Sequence, residues 1–307
     1  MTKVFIDGSA GTTGLRIVER LSQRKDLELL ILPDELRKDP AARADALASA
    51  EIAFLCLPDD AARESAALAA GSKVKIIDTS TAHRVDPNWV YGMPELQGQK
   101  DRIAQSSRVA NPGCHASGFV SLVAPLVQAG ILSKDAALSC FSLTGYSGGG
   151  KKMIAEYESA ERNALLGAPR QYALTQSHKH LKEMVKLCGL ENAPIFCPIV
   201  GDFYSGMEVT VPLFAKDLKG SLSDIQDLYR AYYTSGLIHY DEAADADGLL
   251  SASAYADRDD MGVSAYGNED RIILVSRFDN LGKGASGAAI QNMNILLGLP
   301  EATGLSV

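Results

Sequence analysis

Apolar positions in the first third of the chain fall in short runs separated by stretches of helix-forming composition. Residues 4–6, 27–32, 52–57 and 74–77 read as buried strands, with helices over 13–24, 41–50 and 59–70. This alternation predicts an α/β region: a parallel, doubly wound sheet that binds ligands at the carboxyl ends of its strands. From about Cys140 the pattern changes. Residues 140–144, 195–198, 207–214 and 271–278 read as longer strands, separated by helices and long connections rather than regular crossovers. They predict a second, α+β region with a largely antiparallel sheet. Residues 286–297 read as one apolar helix, and no tandem repeat or low-complexity tract is present.

Length agrees with two regions, since 307 residues exceed what one hydrophobic core usually supports. The 30 basic and 38 acidic residues leave a net charge of -8. That balance argues against nucleic acid or an anionic membrane as partner, while leaving room for a small anionic substrate. No apolar run approaches the ~20 residues of a membrane helix. The N-terminus enters a strand without a signal-like region, so the expected compartment is the cytoplasm. Five cysteines without a C-x-x-C read as free thiols.

Gly8-Ser9-Ala10-Gly11-Thr12-Thr13-Gly14 follows the first strand directly and opens the first helix. Glycines there permit a tight turn and close backbone approach to a pyrophosphate, which then sits at the helix N-terminus. The spacing is G-x-x-G-x-x-G, and its place at the first strand–helix turn favours cofactor binding over a plain turn. After the second strand, Asp34 and Glu35 stand beside Arg37 and Lys38. An acid there suits a ribose hydroxyl and a base suits a 2′-phosphate, so this segment does not choose between NAD and NADP.

Asn111-Pro112-Gly113-Cys114 follows a short strand and precedes an apolar stretch of helical potential. Cys114 therefore falls at or near a helix N-terminus, where free N–H groups and the helix dipole stabilise a thiolate and an oxyanion. Most cysteines are small buried apolar residues, which is the reading for Cys56, Cys140, Cys188 and Cys197. His178 and His180 are the candidate bases, with Glu183 three residues beyond His180 and able to orient it. A zinc site of His178, His180, Cys188 and Cys197 lacks the usual ligand spacing, so no metal is expected. His83, His115 and His239 carry no comparable context, although His115 adjoins Cys114.

With the glycine loop, Asn111-Pro112-Gly113-Cys114 and His178-x-His180-x-x-Glu183 in this order, the sequence resembles the N-acetyl-gamma-glutamyl-phosphate reductase family in its shorter form. That family lies within the wider group containing aspartate-semialdehyde dehydrogenase. Segments 77–84, 91–96 and 147–151 match as well, and residues 280–294 are the most specific. The resemblance implies a Rossmann-type domain of residues 1–113 and 286–307 and a catalytic and oligomerisation domain of residues 114–285. It implies NADP(H), arginine biosynthesis and a homodimer or homotetramer. Cys114 carries over as the nucleophile that forms a thioester. The histidine maps to His180 or His178, with His180 favoured; Lys182 stands where the longer form has proline. Arg84 carries over as the phosphate-side cation, with Lys151 and Asn111 beside it in substrate or phosphate binding, and Asn292 faces the nicotinamide. Three other readings compete: a relative acting on another acyl phosphate, a cofactor-independent cysteine hydrolase, and a non-catalytic nucleotide-binding protein.

Overall fold

The computed structural model describes residues 1–243 and 248–307; the side chain of Thr12, one of the expected loop residues, lies outside what is described. The chain divides into two compact units, Met1–Pro112 with Ala285–Leu305, and Gly113–Gly284 with Ser306–Val307.

In the first unit the elements run β1 (Thr2–Asp7), α1 (Thr12–Leu21), β2 (Leu27–Leu30), α2 (Pro40–Ser49), β3 (Ile52–Leu55), α3 (Asp59–Leu68), β4 (Lys75–Asp78), β5 (Val90–Tyr91), α4 (Gln99–Ala104) and β6 (Arg108–Ala110). Every pairing in the sheet β2-β1-β3-β4-β6-β5 is parallel. Because successive side chains on a strand point to opposite faces, its continuous apolar runs feed two cores. Val4, Ile6, Ile52 and Phe54 pack with Ile17 of α1 and with Ile290 and Met293 of the C-terminal helix, Gly287–Leu296. Phe5, Ala53 and Leu55 pack the other way, with Leu47 of α2 and Ala62 of α3. Each large side chain so buried contributes ~1.5–3 kcal/mol. Asp39 starts α2 by accepting from the Ala41 N–H (2.8 Å), with Pro40 preset in the first turn.

The second unit contains α5 (Cys114–Gln128), β7 (Ser139–Gly145), α6 (Gly150–Glu158), β8 (Arg170–Gln171), α7 (Leu181–Cys188), β9 (Ile195–Gly201), β10 (Met207–Phe214), α8 (Leu222–Tyr232), β11 (Ile238–Tyr240), β12 (Met261–Gly267) and β13 (Arg271–Phe278). Its sheet runs β11-β12-β13-β10-β7-β9-β8. Pairs β11–β12 and β7–β9 are parallel and the other four are antiparallel. Helix α5 lies on one face. A Cβ at Gly118 would come within 2.5 Å of Val209 and 2.9 Å of Phe278, so glycine is what permits that approach. The Tyr229 and Tyr233 hydroxyls donate to the Leu122 and Ser121 carbonyls (2.6 Å each), tying α8 and its end to α5. The opposite face leaves Phe141, Ile195, Phe214 and Ile273 exposed.

Three strands of this unit, β8, β11 and β12, go beyond the sequence expectation. β8 and β11 have only two and three residues, and β12 carries two glycines that dilute its apolar pattern. The C-terminal helix is preceded by a π-helical turn, Gly282–Ser286, which its apolar composition did not signal.

Candidate active site

Gly8 turns the chain after β1 with φ +85°, a conformation L side chains rarely adopt. A Cβ at Gly8 would lie 2.3 Å from the Cys56 carbonyl oxygen, and one at Gly14 2.4 Å from that of Gly8. Both are required by packing. Gly11 differs: it is the N-cap of α1, and a Cβ there would meet nothing nearer than 3.5 Å. Over this loop opens a cleft of about 340 Å³, lined by Gly8, Ser9, Ala10 and Gly11 and, from the far side, by Arg37 and Lys38. Thr13 lies in the first turn of α1. Behind the loop, the buried Asp7 carboxylate is held by Arg43 (3.0 Å) and the Ser65 hydroxyl (2.6 Å). Arg43 thereby compensates a negative charge at the place where an anion would bind.

Near the other end of this sheet, the Asn292 Nδ2 donates to the Gly92 carbonyl (2.9 Å) and to Asn111 Oδ1 (3.3 Å). Asn292 Oδ1 is buried without a hydrogen-bond partner among the described residues. Asn111 Nδ2 donates to the Ala285 carbonyl (3.0 Å). Each end of the Asn111 amide thus makes a hydrogen bond within the unit. Arg84 is largely buried, and its Nη2 donates to the Thr79 carbonyl (3.0 Å). His83 gains a context that its sequence surroundings lacked: Nδ1 lies 2.6 Å from the fully buried Asp78 carboxylate, and its ring stacks on Trp89 at 4.1 Å.

In the second unit Cys114 is the first residue of α5, after Gly113 in extended conformation as N-cap. Position and capping together put the thiol where first-turn N–H groups gather. A Cβ at Gly284 would come within 2.9 Å of the Cys114 Cβ, so glycine at 284 is what leaves room for it. The Gly113 N–H donates to Glu183 Oε2 (3.0 Å). Glu183, expected to orient His180, anchors the turn that carries Cys114.

His180 is buried at the N-cap of α7, and its N–H donates to His178 Nδ1 (3.2 Å). The two rings meet edge to face with centroids 4.7 Å apart. The His115 ring lies 5.6 Å from His178 and 5.5 Å from His180. Its Nδ1 pairs with the Ser142 hydroxyl and its Nε2 with the Tyr172 hydroxyl, both at 2.7 Å. Burial, reinforced by neighbouring His178, pushes His115 down to about 3, so it is neutral and its ring nitrogens are occupied. Burial raises the Tyr172 phenol, and the charge of Cys114 acts in the same direction. Lys151 is exposed in the first turn of α6. His115 and Tyr172 were missed from sequence: a histidine beside the nucleophile is one signal, whereas Tyr172 offers none until β8 is placed.

A family model described as the semialdehyde dehydrogenase dimerisation domain matches residues 114–280, and one described as the NAD binding domain of the same group matches residues 32–106. The chain is 44% identical to the N-acetyl-gamma-glutamyl-phosphate reductase 2 of Nostoc sp., over 99% of both chains. It is 45% identical to the N-acetyl-gamma-glutamyl-phosphate reductase of Brucella ovis, over 96% of this chain and 99% of that one. The chain belongs to the N-acetyl-gamma-glutamyl-phosphate reductase family. Among solved structures, aspartate semialdehyde dehydrogenase II of Vibrio cholerae is similar with a TM-score of 0.74 at 18% identity, covering 97% of this chain and 98% of that one. The aspartate semialdehyde dehydrogenase of Francisella tularensis is similar with a TM-score of 0.71 at 13% identity, covering 97% and 100%. At such identity these two establish the fold that the reductase family shares with them. Among the described residues no helix is long and apolar enough to cross a membrane.

Proposed function

We propose that this protein reduces N-acetyl-gamma-glutamyl phosphate to N-acetylglutamate 5-semialdehyde with release of phosphate, in arginine biosynthesis, through a thioester on Cys114. The observation that carries the reading is Cys114 as first residue of α5, in a chain that matches N-acetyl-gamma-glutamyl-phosphate reductases along its whole length.

The Cys114 thiolate attacks the acyl carbon; a carbon–sulfur bond forms, the bond to the phosphate oxygen breaks, and phosphate leaves with the electron pair. A nicotinamide dinucleotide, when bound, supplies the hydride that reduces the thioester. His180 moves the proton on the oxygen of the resulting hemithioacetal as the carbon–sulfur bond breaks and the pair returns to sulfur. His180 suits this role better than His178, whose Nδ1 accepts the His180 N–H. His115 is unsuited, since burial keeps it neutral and both ring nitrogens are engaged. Glu183 holds the turn before Cys114.

The residues of the first unit fit the dinucleotide. Gly11 lines the cleft at a helix N-terminus, where a pyrophosphate would sit, and the buried Asn292 Oδ1 offers an acceptor for the nicotinamide amide. Arg37 and Lys38 in the same cleft favour NADP(H), because a 2′-phosphate needs a cation. Arg84 takes the departing phosphate, and Lys151 is a second cation for an anionic substrate or cofactor group. In domain terms, residues 1–113 with 286–307 bind the cofactor and residues 114–285 carry catalysis and assembly. The enzyme works as a homodimer or homotetramer.

Phosphate-dependent oxidation of N-acetylglutamate semialdehyde, followed as NADPH absorbance, tests the reading. Wild type turns over and Cys114→Ser loses at least a thousandfold in kcat. Turnover of Cys114→Ser at the wild-type rate overturns the covalent route, and a clear preference for aspartate semialdehyde overturns the substrate.

A further inference from the structure

The substrate proposed above carries a second anion, an α-carboxylate, for which the exposed Lys151 is so far the one cation offered and no bidentate partner has been assigned. Register in the second sheet singles out one cation. Ser142 of β7 pairs with Pro198 of β9, and the Tyr172 N–H donates to the Pro198 carbonyl (3.0 Å). One step along, Thr144 pairs with Val200, and Val200 with Arg170. Side chains two residues apart on a strand share a face. Arg170 therefore lies on the face of Tyr172, the residue that reaches His115 and feels the charge of Cys114.

Arg170 is half-buried, and it makes no ion pair among the described residues. Its Nη2 donates to the Tyr157 hydroxyl (3.2 Å), its guanidinium lies 5.4 Å from the centre of that ring, and its Nε is buried without a partner. A guanidinium fixed by an aromatic ring but lacking an anion is prepared for a planar, two-oxygen acceptor. Nearby Arg162 differs in that Asp202 already holds both its Nη atoms at 2.8 Å. Two residues of strand span about 6.6 Å, which is comparable to the reach from the acyl carbon of a glutamyl chain to its α-carboxylate.

We propose that Arg170 binds the α-carboxylate of the substrate and so selects an N-acylated acidic amino acid, with Tyr157 positioning it. The proposal rests on the reductase reading. Its test compares wild type, Arg170→Met, Arg170→Lys and Tyr157→Phe in the phosphate-dependent oxidation of N-acetylglutamate semialdehyde and of its α-carboxamide. Arg170→Met is expected to raise the semialdehyde KM about a hundredfold, with KM for phosphate and for NADP⁺ within threefold of wild type. Arg170→Lys and Tyr157→Phe lie between the two. The α-carboxamide, poor for wild type, is turned over equally by Arg170→Met.

Unchanged semialdehyde KM in Arg170→Met overturns the assignment. So does a rise confined to phosphate, which makes Arg170 a phosphate ligand, or a carboxamide penalty that persists in the variant. Should Arg170→Met fail to fold, Arg170→Lys and Tyr157→Phe with wild-type preference for the carboxylate overturn it equally. Wild type inactive on N-acetylglutamate semialdehyde removes the reductase reading itself, an outcome distinct from all of these.

Discussion

Thiol chemistry depends on place, and the cysteines of this chain show it. Burial pushes Cys56, half-buried beside the glycine-loop cleft, up to about 12 and raises Cys140 and Cys188 as well, which keeps those thiols protonated. Cys114 stands instead on a helix start, a position legible in Pro112-Gly113 before an apolar run. Its surroundings were only half legible. The pair His178 and His180 stood out by spacing, whereas His115 acquires partners through Ser142 and Tyr172, which lie 27 and 57 residues away. No local pattern encodes such contacts.

His115 gives a measurable consequence. Its folded value of about 3 lies below the ordinary 6.5. As pH falls below about 6.5 the unfolded chain takes up a proton that the folded one refuses until about 3. The stability linked to this group is therefore complete above pH 6.5 and is lost on acidification through that window, by ~1.4 kcal/mol per pH unit. In urea denaturation, wild type is expected to lose about 2 kcal/mol more than His115→Asn between pH 7 and pH 5. Equal losses mean that His115 titrates as an ordinary histidine.

Among the elements, the glycine loop shows how one motif holds two kinds of requirement. Its spacing announces a turn at a helix start, but only the backbone tells which glycine serves packing. A methyl at Gly14 drives into the Gly8 carbonyl, and Gly14→Ala is expected to cost ~1–3 kcal/mol in thermal denaturation without cofactor. At Gly11 the same methyl makes only ordinary van der Waals contact, 3.5 Å from the Gly8 carbonyl oxygen. Gly11→Ala should keep the melting temperature and weaken NADPH binding at least tenfold by fluorescence titration. Wild-type affinity in Gly11→Ala means that the dinucleotide does not approach this loop.

The parallel sheet of the first unit was readable because its strands are buried on both faces and appear as continuous apolar runs. The second sheet was less so. Its short edge strands and the glycine-bearing β12 are specified by register with β13 and β9 rather than by their own composition.

For the molecule as a whole, the second unit matches a model described as a dimerisation domain, and one face of its sheet is open. Phe141 pairs with Cys197 and with Thr210, and with Ile195, Phe214 and Ile273 it leaves an apolar surface of the kind that marks an interface. A homo-oligomer that uses this face should dissociate when a charge is placed there. Sedimentation is expected to show a dimer or larger species for wild type and monomer for Phe141→Asp. Monomeric wild type, or an unchanged species in the variant, places assembly elsewhere or removes it. Charge and apolar composition bounded the partners from sequence, but which apolar residues share this surface depends on strand order, and strand order is a property of the fold.

The thioester on Cys114 is open to observation in a single turnover. Enzyme is mixed with N-acetylglutamate semialdehyde and NADP⁺ in the absence of phosphate, NADPH absorbance is recorded, and the acid-quenched protein is weighed and digested. A burst approaching one NADPH per active site is expected, with an N-acetylglutamyl adduct on the peptide of Cys114 that disappears when phosphate is added. A burst without an adduct, or an adduct that maps away from Cys114 and survives in Cys114→Ser, contradicts the covalent route.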